Sequence, residues 1–266
     1  MMRTANPVLH ADVFAADAPR FGQGIDRPAA ARTMTVQGAA TATMILLGLC
    51  SASAVLVWGL LSASPQLMWP VLIGSLVGGL VLGLIMHFKH TTAPYVAPLY
   101  AIVQGGVVGG ISLVYAIKSA GSSIGGATGA GIVLWAALLT FSVLFALLAA
   151  YKSRLIRATE NFKLGVTAAT MGIGLFYLVN LGVNLFWPGT IPSFGDMGWI
   201  GIAICGFVVV IASLNLVLDF DFIEQGEAAG APKYMEWYAG FGLLVTLIWL
   251  YIELLRLLYL LFGRRE

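Results

Sequence analysis

Charge is scarce in this chain. Lys, Arg, Asp and Glu make up 10% of it, while 59% of its residues are hydrophobic; an average soluble domain carries roughly 25% charge. So few polar side chains cannot coat the surface of a water-soluble fold of 266 residues. A net charge of +2, with no basic run, excludes nucleic acid as a partner. Enzyme signatures are missing as well. There is no HExxH, no P-loop and no GxGD of the intramembrane aspartyl proteases, and "GIS" at 110–112 is too weak to mark a rhomboid-type serine. The expectation is a protein that is not an enzyme and holds no cofactor. The two cysteines, Cys50 and Cys205, lie inside apolar runs, where they read as small packing residues.

Residues 1–34 lack the apolar stretch of a signal peptide and instead contain Arg3, Asp12, Asp17, Arg20, Asp26, Arg27 and Arg32. Residues 1–36 are expected to form a cytoplasmic tail, partly disordered, and 37–266 a transmembrane domain whose first hydrophobic segment is an uncleaved anchor.

What the chain has in plenty is long apolar runs. About 20 apolar residues of helix span a bilayer core, and seven runs meet that length: 41–62, 69–88, 93–117, 128–151, 164–187, 197–219 and 239–262. Most gaps are short, so neighbouring helices should be antiparallel; "GSSIGGATGAG" at 121–131 reads as a flexible connection. The spacing predicts an all-α, polytopic membrane protein. With the N-terminus inside, the inner segments hold ten of the fourteen basic residues: Arg3, Arg20, Arg27, Arg32, Lys89, Lys152, Arg154, Arg157, Lys163 and Lys233. The outer side holds Lys118, Arg264 and Arg265. The positive-inside rule then sets the N-terminus in the cytoplasm. The basic tail "GRRE" fits better with an alternative of six spans and a re-entrant last segment. Gly74/Gly78, Gly79/Gly83, Gly105/Gly109 and Gly106/Gly110 are small-residue pairs at the spacing that lets helices approach closely. Trp58, Trp69, Trp187 and Trp237 sit near predicted span ends, as interfacial anchors do.

Ionisable groups inside a span are costly, which makes them candidates for function. Glu253 lies deep in the last run, and Arg256 follows three residues later on the same helix face. Either the two form a local ion pair, or Glu253 faces the bundle interior and holds a cation or a proton. Asp219 and Asp221 end the sixth run. They are either an interfacial stop or a working site; carboxylates at a helix C-terminus oppose the macrodipole, which disfavours the first. Gln104, Asn180, Asn184 and Asn215 are expected to make interhelical hydrogen bonds. His87 and His90 flank Lys89 at the end of the second run.

The chain resembles the Bax inhibitor-1 family of membrane proteins, in its bacterial branch. The resemblance rests on "ANPVL" at 5–9, "MTVQGAATATMILL" at 34–47, "APLYAIVQGGVVGGIS" at 97–112, "ENFKLGV" at 160–166, "NLVLDFDFIEQG" at 215–226 and "GAPKYMEWY" at 230–238. It implies seven helices with the last one central, surrounded by the other six, in a bacterial inner membrane. It also implies a pH-sensitive calcium leak. An acid near the end of the sixth helix would face one in the seventh as a proton sensor, latched by a basic residue of the second. The sixth-helix acid falls on Asp219 if Ile223 fixes the register and on Asp221 if Phe220 does. The seventh-helix acid falls on Glu253, and the latch on His87 or Lys89. Paired carboxylates in low dielectric share a proton, and ionised they suit Ca²⁺, a hard ion that takes oxygen ligands.

Three departures stand out. The seventh-helix acid is Glu, the family's latch arginine is absent, and 34 residues (253 − 219) separate Asp219 from Glu253. At 1.5 Å per residue that leaves Glu253 about 20 Å deeper, so Glu236, beside the turn, rivals it as partner for Asp221. The competing expectation is a non-conducting regulator that binds other membrane proteins, such as a protease. An intramembrane hydrolase is a third and weaker one.

Overall fold

Thr35 starts the membrane domain as a helix cap. Its backbone is extended (φ −129°, ψ 148°) and its hydroxyl accepts from the Gly38 amide at 2.9 Å, which satisfies one of the donors every helix start leaves open. The structure, a computed structural model, describes residues 33–122, 126, 129–156, 158–187 and 198–263. Most of the expected N-terminal tail, parts of the 121–131 connection, Arg157, and Arg264 and Arg265 lie outside the described residues.

The described residues contain seven helices long and apolar enough to cross a membrane: α1 (Val36–Ala63), α2 (Met68–Phe88), α3 (Ala93–Ser119), α4 (Ala130–Lys152), α5 (Glu160–Phe186), α6 (Trp199–Ala228) and α7 (Met235–Leu258). The protein is an all-α polytopic membrane protein. The re-entrant alternative for the last segment does not hold, because α7 and the π-helical turn that follows it, Tyr259–Gly263, run 29 residues without a break. Pro65, with no amide hydrogen, opens a short 3₁₀ turn directly after α1.

Neighbouring helices alternate in direction. The starts of α1, α3, α5 and α7 and the ends of α2, α4 and α6 meet at one end, tied by Thr33 against Pro232, His90 against Tyr238, Tyr151 against Glu224 and Lys163 against Asp221. Because most of the acids gather there, it is the acidic end.

Helix α7 is central. It packs against α1, α3, α4 and α6, while α2 packs outside on α3 and α5 outside on α6. Four helices pack closely along α7, and α5 reaches it through the Tyr177 side chain. Its burial follows from its sequence. Ala239, Leu243, Leu244, Leu247, Leu250, Leu254 and Leu255 are buried on one side, and buried Ile248, Thr246 and Glu253 widen the buried arc beyond half of the helix. Residues such as Leu80, Leu138, Phe145 and Leu178 face outward and are exposed, which suits lipid as the surrounding solvent.

The glycine pairs divide by function. Gly105 and Gly109 of α3 set its backbone against α1: a Cβ at Gly105 would stand 2.7 Å from the Cys50 carbonyl oxygen, and one at Gly109 would strike the Ala54 carbonyl. Gly106 and Gly110, on the adjacent face, meet Ser75 and Leu72 of α2. By contrast, Gly74 and Gly83 face open space. Gly105→Ala and Gly109→Ala should each destabilise the protein by about 1–3 kcal/mol through overpacking, whereas Gly74→Ala and Gly83→Ala should not. Melting temperatures of the four variants in one detergent check this; equal effects would remove the close α1–α3 contact from the explanation.

Candidate functional site

The sixth helix does not stop where its apolar run stops. It continues nine residues past Asp219 to Ala228 (228 − 219), about 13 Å. Asp219 and Asp221 thus lie in the helix body, and the macrodipole no longer opposes them. The two point in different directions. Asp221 forms an ion pair with Lys163 of α5 at 2.8 Å and accepts from Gln225 one turn on. Lys163 also binds Glu160 at 3.3 Å. Glu224 accepts from the Tyr151 hydroxyl at 2.5 Å, which ties α6 to the end of α4.

Asp219 faces α7. Its carboxylate approaches the Thr246 hydroxyl and the space above Gly242, where a Cβ would lie 3.9 Å from Oδ1. Its Oδ2 is buried and has no hydrogen-bond partner. The remaining acids among the described residues all engage a donor. Gln104 supplies the other buried unpartnered side-chain oxygen, but it is an uncharged amide.

Glu253 is fully buried, 2% exposed, in the half of α7 away from the acidic end. Arg256 donates to both its oxygens, at 3.2 and 3.0 Å, and the Tyr177 hydroxyl of α5 donates to Oε1 at 2.9 Å. The same guanidinium donates to the Tyr177 oxygen at 2.8 Å and lies 5.5 Å from that ring's centre. Cys205 of α6 closes the group, its sulfur 3.9 Å from Oε2. Helix α7 thus carries a saturated, charge-neutral cluster that bridges three helices. It is separate from Asp219: Glu253 lies seven residues beyond Thr246 (253 − 246), about 10 Å along the axis. The extension of α6 halves the offset expected from sequence without closing it.

Glu236 is not beside Asp221 either. It is 4% exposed and holds the start of α1. The Thr35 amide and hydroxyl donate to Oε1 at 3.1 and 3.0 Å, and Lys233 reaches Oε2 at 2.9 Å. Glu227 accepts from the Val36 amide at 3.1 Å, and the Met34 amide donates to the Ala231 carbonyl at 2.7 Å. Two carboxylates at a helix start suit the positive end of the dipole. Glu236→Ala should therefore cost about 2 kcal/mol and loosen the start of α1. Faster hydrogen exchange at Val36 and Gly38 checks this; unchanged exchange would mean that the cap holds without it.

His87 and Lys89 are exposed at the end of α2, and His87 packs edge-on against Phe88. The cations that do reach the acids are Lys163, Lys233 and Arg256, none of them from α2. Of the four amides expected to bridge helices, Asn215 does so, donating to the Thr170 hydroxyl of α5 at 2.7 Å. Gln104 donates one turn back to Tyr100, and Asn184 to Asn180. Lys163, Tyr177, Thr246 and Thr35 were not singled out from sequence. Thr35 alone carried a local signal, as a hydroxyl residue directly before an apolar helix.

Six long apolar helices and a buried seventh, with carboxylates set within the spans, define a polytopic integral membrane protein. The chain matches the family described as Bax inhibitor 1 like over residues 6–263, and it belongs to that family. No curated protein sequence matches it.

Proposed function

We propose that the protein lets cations, Ca²⁺ foremost, leak across the membrane, with Asp219 as the embedded carboxylate that governs passage. The observation that carries this is the buried, unpartnered Oδ2 of Asp219 at the α6–α7 contact. An ionisable oxygen left without a donor inside a span is costly, and a passing cation or a proton would satisfy it. The Thr246 hydroxyl offers a second oxygen. No group of three or more metal-ligating acids, histidines or cysteines occurs among the described residues, so the cation contact is transient. Conduction requires that, because an ion held tightly does not leave. A proton competes for the same oxygen, so flux responds to pH through Asp219. Glu253 and Arg256 hold the helices together, and Glu236 with Lys233 anchors α1. The basic residues at the acidic end, Lys89, Lys152, Arg154, Lys163 and Lys233, set that end and the N-terminus in the cytoplasm of a bacterial inner membrane. The protein performs no catalysis and needs no cofactor.

The test is Ca²⁺ entry into liposomes that contain the purified protein and an entrapped indicator. Entry above that of protein-free liposomes is expected. Entry at the protein-free level would favour a non-conducting regulator that binds other membrane proteins.

A further inference from the structure

Away from the acidic end, α1 and α4 do not pack closely on each other. The gap between them is a cavity of about 460 Å³. Its walls are residues 47–58 of α1 and 130–141 of α4, and its floor is formed by α3 and α7 at Gly109, Ser112, Leu247 and Tyr251. The rims, at Val55, Leu134 and Phe141, are exposed on the outer surface of the bundle, so the cavity opens sideways where lipid lies. The cation reading involves none of these residues.

We infer that this groove holds one acyl chain of a phospholipid from the leaflet opposite the acidic end. Three features select that occupant. Each wall rises through 11 helical steps (58 − 47 and 141 − 130), about 16 Å of helix, which matches one leaflet of a hydrocarbon core ~30 Å thick. The volume suits a chain: a methylene is close to a water molecule in size, ~30 Å³, so roughly 15 fill the groove. Finally, no charged side chain lines the groove, and its floor hydroxyls, Ser112 and Tyr251, already bond each other at 2.6 Å. A polar ligand would find little to bind, and water would meet apolar walls. Left empty, the walls would forgo dispersion contacts, which drive association where lipid offers no hydrophobic gain. Trp58 marks the outer end, at the level where a headgroup would sit.

The full chain is reconstituted in phosphatidylethanolamine–phosphatidylglycerol vesicles doped with a phosphatidylcholine that carries a diazirine at the end of one acyl chain. After photolysis, adducts are mapped by mass spectrometry. Adducts are expected at the inner end of the groove, at Leu47, Thr140 and Leu247; Thr140 and Leu247 are buried from bulk lipid. Ala54→Phe and Ala137→Phe, which fill the groove from opposite walls, should lower these adducts about tenfold, a change of ~1.4 kcal/mol in occupancy. Leu138→Phe, on the exposed face, should leave them unchanged. Should the filled variants not fold, the wild-type map still decides. Adducts confined to outward faces, cross-links to a second copy, or labelling of Ser51→Cys by a membrane-impermeant thiol reagent would overturn the assignment.

Discussion

Glu253→Gln is expected to melt at a much lower temperature than the wild type, and Glu253→Gln/Arg256→Gln to recover most of the loss. The single substitution leaves a guanidinium buried within the spans without its carboxylate. Removing one partner of a buried pair typically costs about 3–5 kcal/mol, whereas replacing both is often nearly neutral. Arg256 keeps the Tyr177 hydroxyl at 2.8 Å, which softens the loss without neutralising the charge. Tyr177→Phe, which removes two hydrogen bonds and no charge, should cost only about 2 kcal/mol. Thermal unfolding of the three variants in one detergent checks the order. A single mutant as stable as the wild type would show that the pair contributes nothing and would return Glu253 to the list of candidate ion sites.

Asp219→Leu is expected to do the opposite: raise stability and abolish cation flux. An unpartnered buried oxygen costs about 1–3 kcal/mol, and Gly242, which faces Asp219, has no side chain to oppose a leucine there. A group retained at the expense of stability is the usual mark of a working position. Destabilisation by Asp219→Leu would mean that the carboxylate has a structural partner, and the flux assignment would lose its physical basis.

Much of this was legible in the sequence, though unevenly. Seven spans follow from apolar length alone, because a helix in lipid must satisfy its own backbone. The Glu253–Arg256 pair could be read because three residues on a helix is a contact. Its third member, Tyr177, lies 76 residues away and leaves no local trace. The end of α6 was misplaced for a physical reason: hydropathy reports where lipid ends, whereas the helix persists to Ala228. That extension turned Asp219 from a helix-end residue into one facing α7. The small-residue pairs announced close packing. Which ones pack depends on neighbours, so Gly105 and Gly109 meet α1 while Gly74 and Gly83 meet nothing. Gln104 was expected to bridge helices but bonds within its own, since a partner one turn back is always in reach.

The most direct measurement is Ca²⁺ entry into liposomes that contain Asp219→Asn, at matched protein density and across a pH series, beside the wild type and Glu253→Gln/Arg256→Gln. Asp219→Asn should pass Ca²⁺ at least about tenfold more slowly, a loss of ~1.4 kcal/mol, and lose its pH response. The double variant should retain both. Wild-type flux with a wild-type pH profile in Asp219→Asn would contradict Asp219 as the governing carboxylate.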